Sequence, residues 1–130
     1  MTDPSPSSLT RRNALAALAA GVATPAIAQT AMTGNSGYLI VAQWETKDGQ
    51  ADAVADILRR YLPLAQKDKG VKQFTIGRAK DNPGQFLFYE LFVDEAAYKA
   101  HQASDYFQRL IAGQALALLA KRERNQFVLL

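Results

Sequence analysis

The stretch FLFYELFVDEAAYKAHQASDYF, residues Phe86 to Phe107, decides how this chain folds. From Phe86 to Val93 every residue except Glu90 is apolar or aromatic. Such a run predicts a strand buried on both faces rather than one half open to water. The period then changes. Asp94 suits a helix cap and Glu95 a first helical turn, while Ala97, Tyr98 and His101 follow at helical spacing. Ser104 and Asp105 restart the helical pattern. Two ionisable side chains, Glu90 and His101, therefore stand in an otherwise apolar neighbourhood.

Upstream of this stretch, Lys80-Asp81-Asn82-Pro83-Gly84 is a strong turn, and Val71 to Ala79 reads as a strand with Phe74 and Ile76 on one face. The two strands should form a hairpin. Before them, Ala51, Val54, Ala55, Leu58, Tyr61, Leu62 and Ala65 make an amphipathic helical stripe. Asp48 is the expected cap, Asp56 and Arg60 pair on the wet side, and Pro63 should kink the last turn or end the helix near Leu62. Earlier still, Tyr38 to Thr46 is a strand carrying Ile40, Ala42 and Trp44 on one face. Downstream, Ser104 to about Ala120 reads as helix, with Phe107, Leu110, Ile111, Gln114 and Leu118 inside and Lys121, Arg122 and Arg124 at its C-terminus. A short strand, Asn125 to Leu130, closes the chain.

Residues 1–28 differ from the rest. A Pro- and Ser-rich start is followed by Arg11-Arg12, a short Ala-rich apolar run and the small-residue site Ala26-Ile27-Ala28. This is the order of an export signal, and the paired arginines with low hydrophobicity suit a twin-arginine type. Residues 29–37 form a spacer and 38–130 the domain. The expected destination is the periplasm or exterior, with no stable membrane anchor once the signal is removed; the apolar run is too short to span a bilayer.

The totals exclude several classes. The chain has 130 residues, a net charge of +3, one His and no Cys. One domain with one core is expected. Scattered charge gives no basic stripe for nucleic acid. Without Cys there is no thiolate nucleophile or zinc–thiolate site, and one His cannot build a multi-histidine metal site in one subunit.

Strand, helix, strand, strand, helix, strand is the split β-α-β unit repeated, an α+β ferredoxin-like βαββαβ fold with a four-stranded antiparallel sheet. If helices cover one face, the doubly apolar Phe86–Val93 strand needs a cover on the other, and a second subunit in a two-fold homodimer supplies it.

The sequence resembles the antibiotic biosynthesis monooxygenase (ABM) family, in its quinol monooxygenase branch. The resemblance rests on Ala42-Gln43-Trp44-Glu45, Asp48-Gly49, Phe88-Tyr89-Glu90, and Asp94-Glu95-Ala96-Ala97-Tyr98-Lys99-Ala100-His101 followed by Ser104 and Phe107. It implies a dimeric α+β barrel with one pocket per subunit between sheet and helices. It also implies oxidation of a quinol-like or polyphenolic small molecule by O2, with neither metal nor flavin as cofactor. Phe88, Glu90 and Phe92 share a strand face. The family arrangement turns that face, with Trp44, toward the helices, and turns Tyr89 and Leu91 toward the barrel. Heme-degrading relatives use Asn, Trp and His where this chain aligns Trp44, Phe92 and the vicinity of Ile111, which argues against heme degradation. Many relatives carry His where Tyr106 stands, so no second imidazole is available.

Glu90 and His101 are the candidate catalytic pair, with Trp44, Phe88, Phe92, Tyr98 and Phe107 as candidate substrate contacts. A buried carboxylate should titrate high, and a nearby imidazole would draw it back down. Such a pair can take a proton from a phenol or hydroquinone. From residues alone other readings stay open: Glu90 and His101 as a structural pair, Trp44, Tyr98 and Phe107 as packing, Arg78 as a solvated strand end rather than a partner of an anionic substrate, and Asp105 and Tyr106 as surface. Two further functions are also open, isomerisation of a small oxygenated metabolite and non-catalytic capture of an aromatic ligand. The export reading has a direct check: Edman sequencing of the periplasmic protein should begin at Gln29, and an intact Met1 there refutes cleavage.

Overall fold

The computed structural model describes residues 36–130; the expected export signal at 1–28 and all but the end of the spacer lie outside the described residues. Four strands, β1 (Tyr38–Thr46), β2 (Val71–Arg78), β3 (Gln85–Phe92) and β4 (Leu119–Val128), alternate with helices α1 (Ala51–Gln66), α2 (Glu95–Ala103) and α3 (Phe107–Ala115). The sheet order is β2-β3-β1-β4 and every pairing is antiparallel. This is the ferredoxin-like topology expected from the element order.

Alternation decides which face is inside. Ile40, Ala42 and Trp44 on β1 and Phe86, Phe88, Glu90 and Phe92 on β3 are buried against the helices. Val54, Ala55, Leu58, Tyr61 and Ala65 meet them from α1. The other face is uncovered in the single chain. Tyr89 and Leu91 are half-buried there, and Leu87 and Phe127 are each 47% exposed. Within one subunit the Phe86–Val93 run is buried on its helix-facing side, and its second side is open.

Three local expectations also change. The helix α1 starts later, because Gly49 adopts φ 77 and the Gln50 amide closes a turn on Lys47. Gln50 takes the N-cap position without a side-chain cap bond, and Asp48 is left outside. The same helix runs past Pro63 to Gln66. An exposed proline in the last turn forfeits one backbone bond, while buried Ala65 keeps the final turn on the core. Asp56 pairs with Arg59 rather than Arg60, at 2.8 Å.

The largest difference lies after Ser104. Asp94 caps α2 as expected, its Oδ1 accepting from the Ala97 amide at 2.8 Å. Ser104 then serves both neighbours, donating to the His101 carbonyl at 2.6 Å and accepting from the Phe107 amide at 3.2 Å. The following helix is π-wound, closing with a bond from the Leu116 amide to the Ile111 carbonyl. The wider turn buries Leu110, Ile111 and Ala115 and leaves Gln114 outside. A single tight turn, Leu116–Leu118, leads directly into β4. The final strand therefore starts at Leu119, and Lys121, Arg122 and Arg124 are strand residues rather than a helix C-terminus.

Strand β2 begins in close contact with α2. A Cβ built on Gly70 would lie 2.7 Å from the Ala97 Cβ, and the Gly70 carbonyl accepts from the Val93 amide at 2.9 Å. Gly70→Ala should therefore push strand and helix apart and destabilise the domain by about 1–3 kcal/mol. Thermal unfolding reads this directly, and an unshifted midpoint shows that the contact has slack.

Candidate functional site

The Asp94 cap fixes where α2 begins, and Tyr98 and His101, three residues apart, then face the sheet together. The β1–β3 register sets Trp44 opposite Phe86, Ala42 opposite Phe88 and Ile40 opposite Glu90. Between these elements lies a small slot, partly open to solvent. It is walled by Trp44, Phe88, Glu90, Tyr98, His101 and Phe107, joined by Ala42, Tyr61, Gln102, Ile111, Arg122 and Arg124. The Trp44 and Phe88 rings meet at 4.4 Å between centroids. Six of the seven side chains singled out from sequence therefore share one cavity. Phe92 does not reach it. It stands behind the wall, its ring 5.1 Å from His101 and 5.3 Å from Tyr98.

Glu90 and His101 are not hydrogen-bonded to each other. Both imidazole nitrogens are occupied otherwise: Nε2 lies 2.7 Å from the Tyr61 hydroxyl and Nδ1 2.8 Å from that of Tyr106. Tyr106 donates to Asp68 Oδ2 at 2.7 Å, so its oxygen accepts from Nδ1–H and leaves Nε2 to accept from Tyr61. A directed chain runs from Tyr61 through His101 and Tyr106 to Asp68. Burial drives the His101 pKa down to about 4, only partly opposed by Asp68, so the ring is neutral. Tyr106, expected at the surface, is half-buried and is the group that fixes the tautomer. Asp105 is exposed, as expected, and lies 3.7 Å from Arg109.

Glu90 is 8% exposed. Burial raises its pKa to about 8, opposed by Arg124 and then Arg122. The opposing charges are thus the β4 guanidiniums and not the imidazole anticipated from sequence. Burial also raises Tyr61 and Tyr98. Among the described residues, the Tyr98 hydroxyl is the one buried side-chain polar atom without a hydrogen-bond partner. Arg78 lies elsewhere, bonded to Asp52 and the Pro83 carbonyl at 2.8 and 2.6 Å, with its guanidinium over Phe86. Among the described residues no three His, Asp or Glu side chains gather as metal ligands.

Sequence reading missed Tyr61 and Tyr106 as partners of His101, and Asp68 as the acceptor behind Tyr106; Tyr61 and Asp68 lie 40 and 33 residues from His101 along the chain. It missed Arg122 and Arg124 because it placed them on a helix. Four charged residues in a row, Lys121 to Arg124, carry no alternation of apolar and polar that could have marked a strand.

Fold and cavity together define an α+β ferredoxin-like domain with an aromatic pocket between sheet and helices. The antibiotic biosynthesis monooxygenase family profile matches residues 37–113, and the chain belongs to that family. Solved structures of the same fold include a Pseudomonas aeruginosa protein, 23% identical with a TM-score of 0.69, covering 73% of this chain and 95% of that one. A Shewanella oneidensis protein is 23% identical with a TM-score of 0.66, covering 72% and 91%. A solved antibiotic biosynthesis monooxygenase is 22% identical with a TM-score of 0.63, covering 71% and 95%. No curated protein matches the chain.

The two shifted groups make opposite contributions to stability. Glu90 is raised from 4.5 to about 8, so its contribution is complete below pH 4.5 and lost as pH rises through 8. His101 is lowered from 6.5 to about 4, so its contribution is complete above pH 6.5 and lost as pH falls through 4. Above pH 6.5 Glu90 acts alone. Stability should fall by roughly 2 kcal/mol toward pH 8, at about 1.4 kcal/mol per unit. Denaturant unfolding across this range should show the fall in the native chain and a flat profile in Glu90→Gln. A fall of equal size in the variant excludes Glu90 as its source.

Proposed function

We propose that the chain is a cofactor-independent monooxygenase of a quinol-like or polyphenolic small molecule, using O2 in the slot between Trp44, Phe88 and Phe107. The observation that supports this best is Glu90. It is a carboxyl buried in an aromatic cavity, with a pKa near the working pH of a general base. The ring of the substrate lies against Trp44 and Phe88, and Glu90 takes its phenolic proton. His101, neutral and tied on both nitrogens, walls the site and orients the Tyr61 hydroxyl; the pair shares the cavity without sharing a proton. The electron-rich anion then passes an electron to O2, and recombination forms a carbon–oxygen bond. Cleavage of the O–O bond leaves one oxygen on the ring and releases the other as water. For a simple hydroquinone the balance is hydroquinone plus O2 giving hydroxyquinone plus water.

In the same reading the protein works as a homodimer. The half-buried Tyr89 and Leu91 and the exposed Leu87 and Phe127 on the free sheet face are what a second subunit would cover. It also works outside the cytoplasm, as the signal-like sequence at 1–28 suggests.

Oxygen-electrode measurements with metal-free protein test the chemistry. Hydroquinone-dependent O2 uptake is expected, falling by roughly 10²–10⁴-fold in kcat for Glu90→Gln. His101→Ala should lower it as well, through loss of the Tyr61 anchor. Turnover untouched by both substitutions overturns the assignment, and a product of unchanged mass points to isomerisation instead.

A further inference from the structure

We propose that Arg122 and Arg124 form an anion subsite at the mouth of the cavity, so that its preferred ligand is an aromatic carboxylate rather than a neutral aromatic. The inference adds a substrate class to the site proposed above, but the binding it describes does not depend on oxygen chemistry.

Register places the two arginines. Arg122 pairs with Trp44 and Arg124 with Ala42, so both point to the cavity side of β4, and both line the slot. Strand alternation sends Lys121 and Glu123 to the opposite face, where they pair with each other at 3.2 Å. That pairing removes the neighbouring acid. Among the described residues, neither Arg122 nor Arg124 has a carboxylate within ion-pair distance. Arg124 lies over the Tyr98 ring, 5.6 Å from its centroid, which holds the guanidinium at low entropic cost. A second observation points the same way. Tyr98 is 5% exposed, lines the same slot, and carries the buried hydroxyl without a partner. Two unpaired guanidiniums and an unsatisfied hydroxyl donor, on the slot that the tilted Trp44 and Phe88 rings also line, match a planar ring bearing a carboxylate. The ring fills the apolar slot and the anion meets the donors, where charge-assisted bonds are strongest.

Glu90 makes the subsite pH-sensitive. The titratable groups around it are Arg122 and Arg124 from β4, Tyr98 and His101 from α2, Tyr61 from α1, and Tyr106 just beyond α2. The tyrosines are raised and His101 is lowered, so near pH 8 Glu90 is the one that changes charge. Below that pH it is a neutral acid and leaves both guanidiniums to the ligand. Above it, the carboxylate competes for them and repels the bound anion. By linkage, anion binding should push the Glu90 pKa further up.

Isothermal titration calorimetry under anaerobic conditions tests this with 1-naphthoate and 1-naphthol as probes. At pH 7 and low salt the native chain should bind naphthoate at least 10-fold more tightly than naphthol. The double substitution Arg122→Gln with Arg124→Gln should weaken naphthoate roughly 10- to 100-fold and leave naphthol within about twofold. Arg122→Lys with Arg124→Lys, which keeps the charge, should restore part of the loss. Naphthoate affinity should drop as pH passes 8, and Glu90→Gln should remove that drop. Equal affinity for the two probes, or naphthoate binding indifferent to the double glutamine substitution, overturns the subsite. Oxygen uptake separates the two proposals. Uptake from neutral hydroquinone without a naphthoate preference keeps the oxygenase and removes the anion site, and naphthoate binding without any uptake does the reverse.

Discussion

The domain is organised around a neutral imidazole held at both nitrogens. His101 is 1% exposed, and the hydroxyls of Tyr61 and Tyr106 satisfy it from opposite sides. Through Tyr106 the chain ends on Asp68, which also accepts from the Gly70 amide at 3.0 Å. Four separate pieces of backbone are thereby joined: α1, the loop after it, α2, and the turn before α3. Each bond adds only about 0.5–1.5 kcal/mol net, but an unsatisfied buried partner costs about 1–3 kcal/mol. The penalty for a wrong arrangement therefore exceeds the gain from any single bond, which fixes one geometry for the helical layer. The aromatic rings around His101 at 5.1 to 6.0 Å fill the remaining space and exclude water from it.

Glu90 is the counterpart that this layer does not satisfy. It sits on the sheet side of the same cavity, buried, with no acid or base in hydrogen-bond contact among the described residues, its raised pKa opposed only by the guanidiniums of Arg124 and Arg122 on β4. A core selected for stability alone would have no use for a carboxyl here. Burial moves both groups toward their neutral forms, Glu90 upward and His101 downward, so near neutral pH the cavity wall carries no net charge of its own. Its charge sits at the rim, on Arg122 and Arg124. An apolar slot with a titratable carboxyl inside and positive charge outside is a polarised site, and the polarity runs along the rows of the β1–β4 register.

Much of this was legible from Phe86–Phe107. The Asp94 cap, the alternation of Phe86, Phe88, Glu90 and Phe92, and the three-residue spacing of Tyr98 and His101 are local signals, and each places a side chain without knowledge of the rest. What these signals could not supply was the partner of each group. Tyr61 and Asp68 belong to other elements, and whether they reach His101 depends on how α1 crosses the sheet. The Ala-rich segment 112–120 misled for a different reason. Its composition favours helix, but π winding consumes the helix early and the pairing demands of β1 then take the chain into a strand at Leu119. Tertiary pairing overrode local propensity there, and that shift turned two presumed helix-end cations into part of the cavity rim.

The free sheet face follows from the same register. Because side chains alternate, every residue that β1 and β3 commit to the cavity forces its neighbour onto the opposite face. Ala42 and Trp44 fix the placement of Val41 and Gln43, and Phe88 and Glu90 fix that of Leu87, Tyr89 and Leu91. A sheet with helices on one side could carry polar residues at those positions, yet β3 carries Leu, Tyr and Leu. Building the cavity wall does not require them. On β3 the second face is apolar at Leu87, Tyr89 and Leu91, while β1 and β4 add Gln43, Glu123 and Asn125 to it, so the apolar part is a patch centred on one strand rather than a whole face.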